Sequence, residues 1–189
     1  MMSNPAPAPH PDAVGYREAV GADALCLAVL AMQVFLDTYA TQGIGPKIAR
    51  EALERGSMDE FAALLADAAT TIVVAEQAGN LVGFAQVTHG AAHEQLGEAP
   101  AAELYRLYVQ EPFTGRGVGR ELLRRAERVG AARGAAVLWL TAWVGNARAL
   151  AFYPRQGYAH AGDTIYSFGG DDFANKLFAR RLDAGPRVA

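Results

Sequence analysis

The chain holds one cysteine, Cys26, in 189 residues. An intramolecular disulfide is excluded, and a reducing, cytoplasmic setting is the expectation. Cys26 lies in Ala24-Leu25-Cys26-Leu27-Ala28, with no neighbour to favour a thiolate. It reads as a small buried hydrophobe, not a nucleophile. A basic excess is lacking too: 17 Lys and Arg against 20 Asp and Glu leave −3. That is not the footprint of a nucleic-acid binder, and it would not repel a cationic substrate. The most apolar stretch, residues 22–40, is interrupted by Asp23, Gln33 and Asp37, so it reads as a buried helix and not a membrane span. Residues 1–12 alternate Pro and Ala without the basic and apolar regions of a signal peptide. They read as a disordered tail before one domain at 13–184. Internal repeats are missing as well.

What is present is the balance of a globular protein with one core: 51% hydrophobic and 20% charged residues. Residues 14–20 alternate weakly and suggest a first strand. Helices are expected over 22–40, 47–54 and 57–66. The last opens on Ser57 and Glu60, a capping box in which hydroxyl and carboxylate each satisfy a free amide. The β-branched run 71–75, the turn Ala78-Gly79-Asn80 and residues 81–88 read as a hairpin. A polar loop over 89–100 precedes a strand over 103–110. Further on come a helix over 120–133, an apolar strand over 136–141, a helix over 146–153, and late strands over 158–161 and 173–182. This order implies an α+β or mixed α/β domain.

The informative segment is Leu107-Tyr108-Val109-Gln110-Glu111-Pro112-Phe113-Thr114-Gly115-Arg116-Gly117-Val118-Gly119-Arg120. Three alternate glycines join a strand to a helix. Without side chains their amides can approach an anion closely, and the helix adds free N–H groups and the positive end of its dipole. Arg116 and Arg120 add charge, so the expected ligand is a phosphate or pyrophosphate. A dinucleotide fingerprint fails because position 120 is Arg, and a P-loop fails for want of Gly-Lys-Ser/Thr. On the cluster alone, glycines kept for packing explain it equally well.

Together with its strand, Thr114-Gly115-Arg116-Gly117-Val118-Gly119 resembles the Gln/Arg-x-x-Gly-x-Gly/Ala motif of the Gcn5-related N-acetyltransferase (GNAT) superfamily, with Thr114 in place of Gln or Arg. Asn146-Ala147-Arg148-Ala149-Leu150-Ala151-Phe152-Tyr153-Pro154-Arg155-Gln156-Gly157-Tyr158 resembles a second block of that family. The resemblance spans about residues 70–182. It implies a GNAT fold, a mostly antiparallel sheet of about seven strands whose fourth and fifth strands splay around acetyl-CoA. It also implies direct acetyl transfer to an amine without an acyl-enzyme. Leu107 and Val109, flanking Tyr108, would offer main-chain groups to the pantetheine arm. The amides of Gly115, Arg116, Gly117, Val118, Gly119 and Arg120 would hold the pyrophosphate, Thr114 contributing less than the usual side chain. Asn146 would touch the cofactor, and Tyr153 would be the general acid to the departing thiolate. The ends of the chain, around 35–39 and 162–171, resemble the PaiA-type branch, which includes polyamine acetyltransferases.

Glu103 reads equally as an exposed strand carboxylate or as the base that deprotonates the substrate ammonium. The fifth-strand Glu used by some relatives falls here at Thr141. His89, His93 and Glu94 share a loop with Gly90, so no metal is expected. Trp139 and Trp143 read as core and rim. Arg120, Glu121, Arg124, Arg125, Glu127 and Arg128 read as the wet face of a helix. The expected partner is a small-molecule amine, with no nucleic acid or membrane, and a homodimer is left open. A protein N-terminal or lysine acetyltransferase shares these motifs, and so does a CoA-sensing module that does not turn over.

Overall fold

The computed structural model describes residues 13–168 and 170–182. The expected tail at 1–12 lies outside them. Strands β1 (Gly15–Glu18), β2 (Thr70–Gln77), β3 (Asn80–His89), β4 (Ala101–Val109), β5 (Val137–Trp143), β6 (Ala159–Phe168) and β7 (Asp171–Arg181) form one sheet in the order β1-β2-β3-β4-β5-β7-β6. Every neighbouring pair is antiparallel except β4–β5. Helices α1 (Ala24–Tyr39), α2 (Pro46–Arg55) and α3 (Met58–Ala66) precede β2, while α4 (Val118–Ala132) and α5 (Ala147–Arg155) flank β5. The expected mixed fold is the observed one.

Local chemistry explains the main boundaries. The β2–β3 turn needs two left-handed residues, and Ala78 (φ 50°) and Gly79 (φ 78°) supply them. Pro46 starts α2 at a position where its missing N–H costs nothing. Ser57 caps α3 by accepting from the Glu60 amide at 3.1 Å. The other half of the expected capping box is not made, because the Glu60 carboxylate turns to Arg106 at 2.9 Å.

The faces of the sheet are covered differently. Leu122, Leu123 and Ala126 of α4 and Tyr153 of α5 pack on one face, against Val87, Leu104, Leu138 and Leu140. On the other face α1 and α3 cover Ile72, Val74 and Phe84. The run from Gly21 to Tyr39 is long and apolar enough to cross a membrane by composition. Its stripe of Leu27, Ala28, Ala31 and Phe35 is nonetheless buried within the protein. That stripe leaves Cys26 on the opposite side of α1, exposed. The expected burial of Cys26 is thereby corrected: one residue from Leu27 is about 100° around a helix.

Two further expectations shift. β6 was placed at 158–161 but continues to Phe168. Its register to β7 slips between His160 and Gly162, and a bulge carries the strand through a glycine that reads as a break. Glu127 is not on the wet face of α4. It accepts from the Tyr158 hydroxyl at 3.1 Å and from Arg180 at 3.0 Å, tying α4 to the last hairpin.

Candidate active site

β4 and β5 are paired only through Ala101–Val137, Ala102–Leu138 and Glu103–Trp139. Beyond that point the strands part, leaving residues 104–109 without a β5 neighbour. The backbone of β4 there is half used. Gln110 donates its amide to Val82 at 3.0 Å. Bonded pairs alternate along an antiparallel ladder, so Tyr108, opposite Phe84, and Arg106, opposite Gln86, also turn their polar groups to β3. Leu107 and Val109 then point theirs into the gap. Tyr108 differs from the other two cofactor candidates. Its main chain faces β3, and its ring lies edge-on to Phe84, 5.5 Å between centroids.

The glycine turn lies at the wide end of the gap. A 3-10 turn, Glu111–Phe113, leads through Thr114 to Gly115 (φ 73°) and Gly117 (φ 88°), and Gly117 caps α4. A Cβ on either glycine would meet nothing within 4 Å. Packing therefore does not require these glycines; the left-handed backbone does. Gly119 is different, since its Cβ would sit 3.7 Å from the Val109 side chain. Among the described residues no protein group accepts from the amides of Gly115, Arg116 or Gly117. Those of Val118, Gly119 and Arg120 fall in the first helical turn, where an amide has no partner inside the helix. This row of amides at a positive helix end, with exposed Arg116 and Arg120 beside it, fits a diphosphate. The Thr114 hydroxyl is spent locally, donating to the Glu111 carbonyl at 2.9 Å. Arg116 stacks over Phe113, 5.5 Å from its centroid.

Glu103 lies where the gap closes. Burial pushes its carboxyl up to about 7, and no protein donor among the described residues reaches it. Tyr153 approaches from α5. Its ring is buried against Phe152, Tyr158 and Phe178. Burial, with the nearby phenols of Tyr108 and Tyr39, drives its pKa well above the ordinary tyrosine range, so it is protonated at neutral pH. Asn146 is the N-cap of α5, its Oδ1 accepting from the Ala149 amide at 3.0 Å. Only its Nδ2 is left to donate to a ligand.

Sequence reasoning missed the roof of the opposite side. Arg55 of α2 donates to the Tyr105 hydroxyl at 3.1 Å and stacks over Tyr166 of β6, 4.9 Å from its centroid. It also pairs with Glu51. Lys47 reaches Asp171 at 2.8 Å. Helix α2 thus joins β4 to the β6–β7 hairpin across the face that carries Glu103. Tyr39 of α1 stacks on Trp143, 5.4 Å between centroids, and Trp143 meets Phe173. Trp139 is buried, donating to the Ala91 carbonyl at 2.7 Å and touching His93. His93 caps a 3-10 turn, and His89 pairs with Thr71 at 2.9 Å. The two histidines thus serve separate local contacts.

Comparison with known proteins gives the family to which this fold belongs. Residues 38–158 match the model of the family described as acetyltransferase (GNAT) family. The chain belongs to that family. It is an acetyl-CoA-dependent N-acetyltransferase at that level of description. It is 22% identical over 153 residues to an uncharacterised N-acetyltransferase of Lactobacillus delbrueckii subsp. lactis, covering 81% of this chain and 88% of the relative. It is 35% identical over 97 residues to streptothricin acetyltransferase of Streptomyces lavendulae, 51% of this chain and 48% of that one. The PaiA N-acetyltransferase of Thermoplasma acidophilum, solved in complex with coenzyme A, superposes with a TM-score of 0.69 at 20% identity. That match covers 89% of this chain and 99% of that one.

Proposed function

We propose that the chain transfers an acetyl group from acetyl-CoA directly to the primary amine of a small molecule, with a polyamine as the favoured acceptor. The observation that carries the cofactor half is the line of unspent main-chain groups. It runs from the glycine turn, past Val109 and Leu107, to Glu103. Acetyl-CoA supplies an activated acyl carbon with a thiolate leaving group. The amides at 115–120 hold its diphosphate, and Leu107 and Val109 hold the pantetheine arm as a partner strand would. The strand amide near Val109 polarises the thioester carbonyl. Glu103, with a pKa near neutrality, accepts the proton that an ammonium must lose before its nitrogen can attack. Tyr153 keeps its proton for the sulfur.

Support for a cationic acceptor is the half-buried carboxyl of Glu103 on the face that α2 bridges, together with the exposed ring of Tyr105, since cations favour aromatic faces. The resemblance of residues 35–39 and 162–171 to the branch that includes polyamine acetyltransferases points the same way. The test is an amine panel with acetyl-CoA, read by thiol release. Turnover of spermidine, with none on peptides beginning in Ala or Ser or carrying lysine, is the expected result. Turnover confined to peptides would make the acceptor a protein. CoA binding without turnover on any amine would make the chain a sensor.

A further inference from the structure

We propose that Arg148 is a further phosphate-binding residue of the cofactor site, held by Glu111 until the cofactor arrives. This rests on the acetyl-CoA reading above. Arg148 lies in the first turn of α5, just after β5, and Glu111 opens the turn just after β4. Their side chains meet in a two-pronged pair, Nη1 to Oε2 at 2.6 Å and Nη2 to Oε1 at 2.9 Å. The two strands that part after Glu103 are thus tied together again beyond their far ends. The tie joins the segment that opens the glycine turn to the first turn of α5.

The pair is built to exchange. Both side chains are exposed, 65% for Arg148 and 64% for Glu111, and water screens such pairs strongly. Among the described residues Glu111 meets no second cation, and Arg148 no second anion. The guanidinium fork that fits a carboxylate fits a phosphate equally well. Glu111 is connected directly to the anion nest: its carbonyl accepts from both the amide and the hydroxyl of Thr114, the residue before Gly115. One residue, Glu111, therefore contacts both the Arg148 fork and the residue that opens the nest. The carboxylate of Glu111 is then a like charge beside the incoming diphosphate. Transfer of Arg148 from one anion to the other relieves both problems. Arg116 differs in having no carboxylate partner to exchange among the described residues, its guanidinium resting on the Phe113 ring.

The test is calorimetric binding of CoA and of 3′-dephospho-CoA, without an amine and without turnover. The proteins are the full chain, Arg148→Ala, Arg148→Lys, Glu111→Gln and the Glu111→Gln/Arg148→Ala double variant. Arg148→Ala should weaken CoA about tenfold, the scale of one charge-assisted contact. Arg148→Lys should recover only part of the loss. Glu111→Gln breaks the tie but leaves Arg148 free, so it should bind CoA a few-fold more tightly than the full chain. The double variant should lose that gain. A loss with CoA alone assigns Arg148 to the 3′-phosphate; an equal loss with dephospho-CoA assigns it to the diphosphate. Undiminished CoA affinity in Arg148→Ala overturns the proposal. So does a Glu111→Gln variant as weak as Arg148→Ala, which would mean that the pair only braces the two loops. Failure of the unaltered chain to bind CoA would instead overturn the acetyltransferase reading itself.

Discussion

Glu103 and Trp139 are the last residues that β4 and β5 hold opposite one another. The Trp139 indole gives its N–H to the Ala91 carbonyl and so is not a donor to Glu103, which burial desolvates. Glu103 is therefore desolvated without being given a donor, the arrangement that raises a carboxyl pKa.

That arrangement makes a signed prediction for pH. A carboxyl pushed up to about 7 from an ordinary 4.5 stabilises the fold fully only below about pH 4.5, and the contribution is lost as pH rises through 7. Glu103→Gln mimics the protonated form. Its stability relative to the unaltered chain should rise by about 1–3 kcal/mol between pH 5 and pH 8, allowing for water at the exposed edge of the carboxyl. Urea unfolding at the two pH values measures this. The same variant should lose the limb of kcat/KM centred near pH 7. A limb that persists in Glu103→Gln would belong to another group.

Gly117→Asp should abolish binding of acetyl-CoA. The substitution puts a carboxylate into the amide row and forces a non-glycine residue into left-handed backbone, at a cost of about 1–2 kcal/mol. There is open space around the position, so the chain should still fold. Gly117→Ala is the control, with the same backbone cost and no charge. It should keep measurable affinity in calorimetry.

Tyr153→Phe removes one hydroxyl and leaves the ring contacts with Phe152, Tyr158 and Phe178 in place. The expected outcome is a fall in kcat of ~10²–10⁴-fold with KM for acetyl-CoA nearly unchanged. Single-turnover kinetics would show whether chemistry limits the rate. A change confined to KM would make Tyr153 a binding residue.

Arg106→Met should unfold the protein more easily by about 3–5 kcal/mol. Arg106 is only 4% exposed. It donates to Gln86 at 3.0 Å, to Glu60 at 2.9 Å and to the Arg55 carbonyl at 3.3 Å. Its loss strands Glu60, one of whose carboxylate oxygens is already without a partner. Thermal unfolding gives the measurement.

Arg106 also marks the limit of what the sequence could say. The strand around it was legible, as were the hairpin at Ala78-Gly79 and the helix after the glycines, because each depends on neighbours a few residues apart. The glycine turn was legible for the same reason: left-handed backbone and a helix start are local. A buried arginine is decided by three partners between 20 and 51 residues away, and nothing beside it announces them. The bridge from Arg55 to Tyr105 and Tyr166 was hidden in the same way. Cys26 was misplaced because an all-apolar run does not say which side faces inward. Only the position of α1 against Ile72 and Val74 decides that. The strand β6 was cut short because Gly162 and Asp163 carry turn chemistry that pairing to β7 overrides.

A contact three residue pairs long is all that joins β1–β4 to β5–β7 within the sheet. Mechanically it is a fulcrum, with two arms of strand running from it along residues 104–109 and 140–143. At about 3.3 Å per residue the longer arm reaches roughly 20 Å. A rotation of about 5° at the fulcrum therefore opens the far end by roughly 1.7 Å while barely stirring Glu103. Leverage of this kind means that any rotation about the three pairs moves the mouth most and the end at Glu103 least, with the Arg148–Glu111 pair the contact it would load first.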